Sequence, residues 1–281
     1  MNSEKKEKSL IICGLPESGK TTFLAALAHI ICSEDIDSQL KFNGIAKDRA
    51  YLNQLEQKWL ACQPMERTLL GQHSTLELNL KSDRDEFTLS IPDLSGETWG
   101  NFWQERNCPQ EVVDIINEAS GVMLFVHCDI YKRVLSIADL NLQCQTKQPD
   151  NPDIVEEWDA IKHTPTQTIL VDILQSINSL SVSEGKKDLI IVLSAWDKAV
   201  SSEESPSQYL ESIFPILNQY LKSGFDYDSV KVIGVSAQGG DFKTDLDKLA
   251  SIDIPSQRIQ VTEENETSHD LTQPLCWLLE H

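Results

Sequence analysis

From Leu10 to Cys13 the chain is continuously apolar and reads as a buried strand. A glycine-containing stretch, Gly14 to Thr21, follows it. Between Thr22 and Cys32, Leu24, Leu27, Ala28 and Ile31 recur at the spacing of one helical face. Residues 33–46 show no periodicity. Tyr51, Leu52, Leu55 and Trp59 then mark a second helix that ends near Cys62, ahead of Pro64, and 63–72 reads as a loop. Leu76, Leu78 and Leu80 alternate with polar residues, as do Phe87, Leu89 and Ile91, which predicts a two-stranded hairpin turning at Ser82 to Asp85.

Asp93 to Gly100 reads as a loop, with Trp99, Phe102, Trp103 and Arg106 in and just after it. Pro109 opens a helix that turns Val112, Val113, Ile116 and Ala119 inward. Val122 to Cys128 and Leu189 to Leu193 are apolar without alternation, the pattern of strands covered on both faces. Residues 141–163 between them look like an insertion. Thr164-Pro165-Thr166-Gln167 carries a helix-start signal with Thr164 as the cap, followed by the stripe Leu170, Ile173, Leu174 and Ile177. Ser205-Pro206-Ser207-Gln208 repeats that signal, and Pro215 should kink the helix running to Leu221. Val230 to Val235 is the last clear strand, and 240–281 holds weak helical signals ending at Leu275 to Leu279. Strands alternating with helices specify an α/β fold: a mainly parallel sheet with helices on both faces.

Composition narrows the chemistry. Against 24 Lys+Arg stand 44 Asp+Glu, a formal charge of -20, which argues against broad binding to nucleic acid or to anionic lipid. Apolar runs are strand-sized, so no membrane span is expected. The first residues mix Glu with Lys and lack the pattern of a secretory leader. Seven cysteines without CxxC spacing read as reduced core thiols of a cytoplasmic protein.

The strongest signal is Gly14-Leu15-Pro16-Glu17-Ser18-Gly19-Lys20-Thr21, a full match to GxxxxGK[ST] placed between a strand and a helix. Glycines at both ends let the chain curl so that successive N–H groups, including those around Glu17, Ser18, Gly19 and Thr22, converge on phosphates. Lys20 is the residue to reach the β- and γ-phosphates, and the Thr21 hydroxyl is a Mg²⁺ ligand. Asp93-Leu94-Ser95-Gly96 follows the hairpin, placing Asp93 to hold Mg²⁺ through water and the Gly96 N–H to sense a γ-phosphate.

Ser194-Ala195-Trp196-Asp197 and Ser236-Ala237-Gln238 close two further strands. The order GKT, DxxG, a degenerate NKxD and SA resembles the P-loop GTPases of the Ras-like and translation-factor class over roughly residues 9–240. The resemblance implies a six-stranded Ras-like sheet with one antiparallel hairpin pair. It implies that Asp197 accepts hydrogen bonds from guanine N1 and N2 and that the Ala237 N–H faces O6, with Ser236 and Gln238 beside it. Ser194 and Ala195 depart from the family's Asn and Lys, so the Lys stem along the base is missing; Trp196 and Lys198 are the two candidate replacements. In the loop before the hairpin, Thr68 matches the family's switch threonine, with Thr75 as competitor, and Arg67 is a candidate arginine finger in cis. Glu97 stands where small GTPases carry the glutamine that orients attacking water, which implies slow intrinsic turnover.

IPDLSGE, SAWDK and the insertion before PTQTILVDILQ resemble bacterial double-GTPase proteins of conflict systems. That implies a nucleotide-controlled switch whose protein partner is a second GTPase or an effector in defence. On this reading residues 1–281 form one GTPase domain with insertions near 33–66 and 129–163 and an extension over 240–281. A nucleotide-binding scaffold without useful turnover and an ATP-dependent P-loop enzyme are the competing expectations.

Overall fold

The computed structural model describes residues 6–43, 49–65, 75–92, 94–135, 137, 141, 159–182, 185–199 and 204–280. In chain order, β1 (Lys6–Cys13) leads through the glycine loop into α1 (Lys20–Ser33), β2 (Lys41–Phe42) and α2 (Arg49–Leu60). The hairpin β3 (Thr75–Lys81) and β4 (Glu86–Pro92) precedes α3 (Gly96–Glu105), α4 (Gln110–Glu118) and β5 (Gly121–His127). Then come α5 (Ala160–His163), α6 (Thr166–Leu180), β6 (Lys187–Ser194), α7 (Pro206–Ile213), α8 (Pro215–Lys222) and β7 (Tyr227–Ser236). The end of the described chain holds α9 (Leu246–Ala250), β8 (Gln260–Glu263), β9 (Glu266–Ser268) and α10 (Thr272–Glu280).

These strands form one sheet in the order β2-β3-β4-β1-β5-β6-β7-β8-β9. β4, β1, β5, β6 and β7 run parallel, while β3 pairs antiparallel with β4 as the alternation predicts. The expectation of six mainly parallel strands is corrected: among the described residues the sheet has nine strands and is mixed, because β2, β8 and β9 add antiparallel edges. Those three are two to four residues long and largely polar, so they give no periodic apolar signal.

β1 shows how the pattern builds both cores. Leu10 and Ile12 point to one face, where Phe23, Leu24, Leu27 and Ile31 of α1 and Leu275 and Leu278 of α10 cover them. Ile11 and Cys13 point to the other, under Val112 and Ile116 of α4 and Leu170, Ile173 and Leu174 of α6. The extension is thereby part of the core. It is also tied to the segment before β2: Gln39 N–H donates to Asp270 Oδ2 at 2.8 Å and Leu40 N–H to Thr272 Oγ1 at 3.0 Å.

Three local expectations change. The loop expected through Gly100 is already helical from Gly96, because Ser95 caps α3 by accepting the Thr98 N–H at 3.1 Å. Trp99 and Phe102 are consequently buried side chains of a helix, packed edge to face. Pro215 does more than kink its helix: the chain breaks at Phe214 (φ −121°, ψ 56°) and restarts as α8 with Pro215 in its first turn. Thr164 does not cap α6, which begins after Pro165; its N–H instead closes α5 on Ala160 O. Burial pushes the thiols of Cys13, Cys128 and Cys276 up to about 12, leaving them protonated and unreactive. Among the described residues no helix is long and apolar enough to cross a membrane.

Candidate nucleotide-binding site

β1 lies between β4 and β5, so the chain leaves its carboxyl end at the point where the strand order reverses, the place where open α/β sheets bind ligands. The loop there depends on left-handed backbone at Glu17 (φ 63°) and Gly19 (φ 88°). At Gly14 (φ 148°) an added Cβ would lie 2.7 Å from both Phe125 O and Ser18 Oγ. Gly19 caps α1 without a side-chain hydrogen bond, and no acidic residue occupies the first turn. The positive end of the helix dipole is thus left for an anion. Lys20, only 7% exposed, donates from Nζ to Gly14 O (3.0 Å), Leu15 O (3.2 Å) and Ser18 Oγ (3.2 Å).

A cavity of about 240 Å³ opens over this loop, lined by Glu17, Ser18, Gly19, Lys20, Thr21 and Thr22 and, from the facing turn, by Ser95, Gly96 and Glu97. Gly96 is required by contact: a Cβ there would sit 2.4 Å from Pro16 N and 2.5 Å from Pro16 Cα. The DxxG turn therefore rests directly on the phosphate-binding loop. Glu97, half-buried in the first turn of α3, is where a helix dipole favours a carboxylate.

A second cavity, about 420 Å³, shares Glu17, Gly19, Thr22 and Met65 with the first and extends to Asp197, Lys198, Ser236, Ala237 and Gln238. Two hydroxyls lock its walls. Ser194 Oγ donates to Ser18 O at 2.7 Å, tying β6 to the phosphate loop, and Ser236 Oγ lies 2.5 Å from Asp197 Oδ1 while accepting the Gly239 N–H at 3.2 Å. Of the two candidates for the missing Lys stem, Lys198 lines the cavity and Trp196 does not. The left-handed turn at Ala195 (φ 52°) carries Trp196 into the core, 4% exposed, against Gly234 and edge to face with Tyr209. Lys198 Nζ pairs with Asp129 at 3.4 Å and Asp241 at 3.5 Å. Its partial burial works against its charge, but these two carboxylates outweigh that and hold its pKa above the usual value.

The predicted residues thus divide between two adjoining cavities, with Gly14 contributing the carbonyl that receives Lys20. Arg67, Thr68 and Asp93 lie outside the described residues. Thr75 begins β3 opposite Pro92 and lines neither cavity. Among the described residues no group of three His, Cys, Asp or Glu could hold a metal ion by itself. Thr21 offers a hard hydroxyl oxygen at the phosphate end, the donor type Mg²⁺ takes when phosphate oxygens complete its shell. The sequence reading missed Pro64, Met65, His127 and Phe242 in the second cavity. Only His127, at the carboxyl end of a central strand, stood where a binding residue could have been anticipated.

Sheet order, glycine loop and paired cavities define an α/β nucleotide-binding protein of the P-loop class. The model of the Double-GTPase 1 family (DO-GTPase1) matches residues 11–278, and the chain belongs to that family. It is a P-loop GTPase of double-GTPase type and, as such, a GTP-binding protein. A comparison with curated protein sequences gave no match. Among solved structures, the Arl6 BBS3 small GTPase from Trypanosoma brucei with bound nucleotide analogue GppNp is similar over 88% of this chain and 98% of that one, at 12% identity and a TM-score of 0.41.

Proposed function

We propose that this chain hydrolyses GTP to GDP and phosphate with Mg²⁺, slowly, and acts as a cytoplasmic nucleotide-dependent switch for a protein partner, built as one domain over residues 1–281. The observation that carries the reading is the pair of adjoining cavities, one floored by phosphate-loop backbone and one walled by Asp197 and Ala237. In this reading Lys20 exchanges its loop carbonyls for the β- and γ-phosphates, and the α1 amino terminus adds backbone donors. Thr21, Asp93 and Thr68 are the proposed metal residues. Mg²⁺, when bound, neutralises charge shared by the β- and γ-phosphate oxygens.

Asp197 accepts from guanine N1 and N2, Ala237 N–H donates to O6, and the Lys198 stem supports the base. Glu97 accepts a hydrogen bond from the attacking water but brings negative charge toward the γ-phosphate, which limits turnover. Arg67 is the proposed group to offset that charge. The proposed partner is a second GTPase or an effector, with a role in bacterial defence. Glu97 in the glutamine position also favours a second reading, a nucleotide-holding scaffold with negligible turnover.

Calorimetric titration with Mg²⁺-GTP, GDP and ATP tests the binding half. Asp197→Asn should weaken GTP about 10- to 100-fold and improve xanthosine triphosphate binding, because a charged acceptor for guanine is lost. Tight ATP binding without GTP binding would overturn the reading. Single-turnover phosphate release from wild type, Glu97→Ala and Arg67→Ala separates switch from scaffold: no release above the uncatalysed rate supports the scaffold.

A further inference from the structure

The base-side loop has a support that belongs to neither the phosphate loop nor the fourth motif. Trp59 of α2 is buried, 1% exposed, and its Nε1–H donates to Ala237 O at 2.9 Å. Two further side chains pack against the indole. His29 of α1 stacks on it at 5.0 Å with ring planes 30° apart, and the Arg258 guanidinium lies 5.2 Å from its centroid. Each support is itself anchored: His29 Nδ1 is 2.9 Å from Glu56 Oε1, and Arg258 Nη1 donates to Cys62 Sγ at 3.1 Å. Arg258 also backs the loop directly, since a Cβ at Gly239 would lie 2.4 Å from Arg258 O.

Two fixed points thereby bracket the Ala237 N–H. Before it, Ser236 Oγ is engaged with Asp197 and the Gly239 N–H; after it, the Ala237 carbonyl is engaged by Trp59. These bonds hold Ser236 by its side chain and Ala237 by its carbonyl, so the residues on both sides of this amide are fixed, and Ala237 lines the second cavity. Beyond the last turn of α2 the chain continues to Pro64 and Met65, and Met65 lines both cavities. We propose that Trp59 is a positioning residue for base recognition: through the Ala237 carbonyl it aims the Ala237 N–H at the base edge, and α2 mechanically joins this loop to the chain beside the phosphates. The proposal rests on the reading that the second cavity takes guanine.

Trp59→Phe keeps an aromatic ring against His29 and Arg258 and removes the donor. Competition binding against GDP and 2-aminopurine riboside diphosphate, which lacks both O6 and the N1–H, gives the discrimination due to that edge of the base; Asp197 is the same in wild type and variant, so a change in the ratio reads the O6 contact. Wild type should prefer GDP, and Trp59→Phe should lower the preference about fivefold, the worth of one neutral hydrogen bond's geometry. A general loosening would weaken both ligands alike and leave the ratio unchanged, which would overturn the proposal. Absence of any GDP preference in wild type would instead refute guanine recognition itself. If Trp59→Phe does not fold, 3-benzothienylalanine at position 59 replaces the N–H by sulfur at nearly constant shape and decides the same ratio.

Discussion

His127 ends β5 with its Nδ1 accepting the N–H groups of Asp129 and Ile130, both at 3.0 Å, and its ring on the wall of the second cavity. An acceptor at Nδ1 requires the neutral ring. Burial first, then Lys198, pushes its pKa below the usual 6.5, while Asp129, Asp197 and Glu17 pull the other way without prevailing. A histidine whose folded pKa is depressed binds fewer protons than in the unfolded chain between the two values. Its contribution is therefore intact above pH 6.5 and is lost as pH falls through the folded value. NMR titration of the His127 ring should give a midpoint under 6.5, and His127→Asn, whose Oδ1 accepts without titrating, should flatten the loss of thermal stability below that pH. A midpoint at or above 6.5 contradicts the assignment. At this scale the phosphate loop was readable because left-handed backbone and close approach restrict Gly14 and Gly19, and restriction leaves a mark in sequence. Trp59 left none and His127 only its place at a strand end: their roles come from strands and helices brought together by the fold.

Gln167 illustrates the same limit for elements. In sequence it reads as the capping partner of Thr164; in the fold it is 3% exposed and its Oε1 accepts the Ile216 N–H at 2.8 Å, in the first turn of α8. That amide is one of the donors a helix start leaves without an intrahelical acceptor, and Pro215 beside it has none to give. Gln167→Ala strands the donor inside the α6–α8 contact and should cost about 1–3 kcal/mol. Urea unfolding with an unchanged slope and a lower midpoint checks this; an unchanged midpoint means water or rearrangement replaces the acceptor. Longer elements were readable wherever burial left a pattern: the hairpin alternation and the unbroken β5 and β6 runs reappear, and α1 is a helix whose burial extends beyond the one expected face to every residue from Phe23 to Ile31. Missed elements lacked one. α3 begins on Gly96 and carries Gly100, which the eye takes for a loop, and β8 and β9 are exposed polar strands fixed by pairing rather than by an apolar face.

For the whole molecule the governing fact is a charge of -20 on a protein that takes a polyanion. Among the described residues, positive potential at the cavities comes from the floor, with buried Lys20 and the acid-free first turn of α1, and from Lys243 on the wall of the second cavity. The other described wall residues oppose it: Lys198 is paired with Asp129 and Asp241, and Glu17, Glu97 and Asp197 line the walls. Range then decides the sign. At about 0.01 M ionic strength the screening length is about 30 Å, so an approaching nucleotide meets the net repulsion of the entire surface. At about 0.1 M it is about 10 Å, and the local donors dominate once the nucleotide is near. The association rate of a fluorescent GDP analogue, followed by stopped flow, should therefore rise several-fold over that interval, the reverse of a steered encounter, with the dissociation rate changing less. An association rate that falls with salt would mean that positive potential extends beyond the cavity, and the acid excess would then have to be segregated on the far side of the molecule.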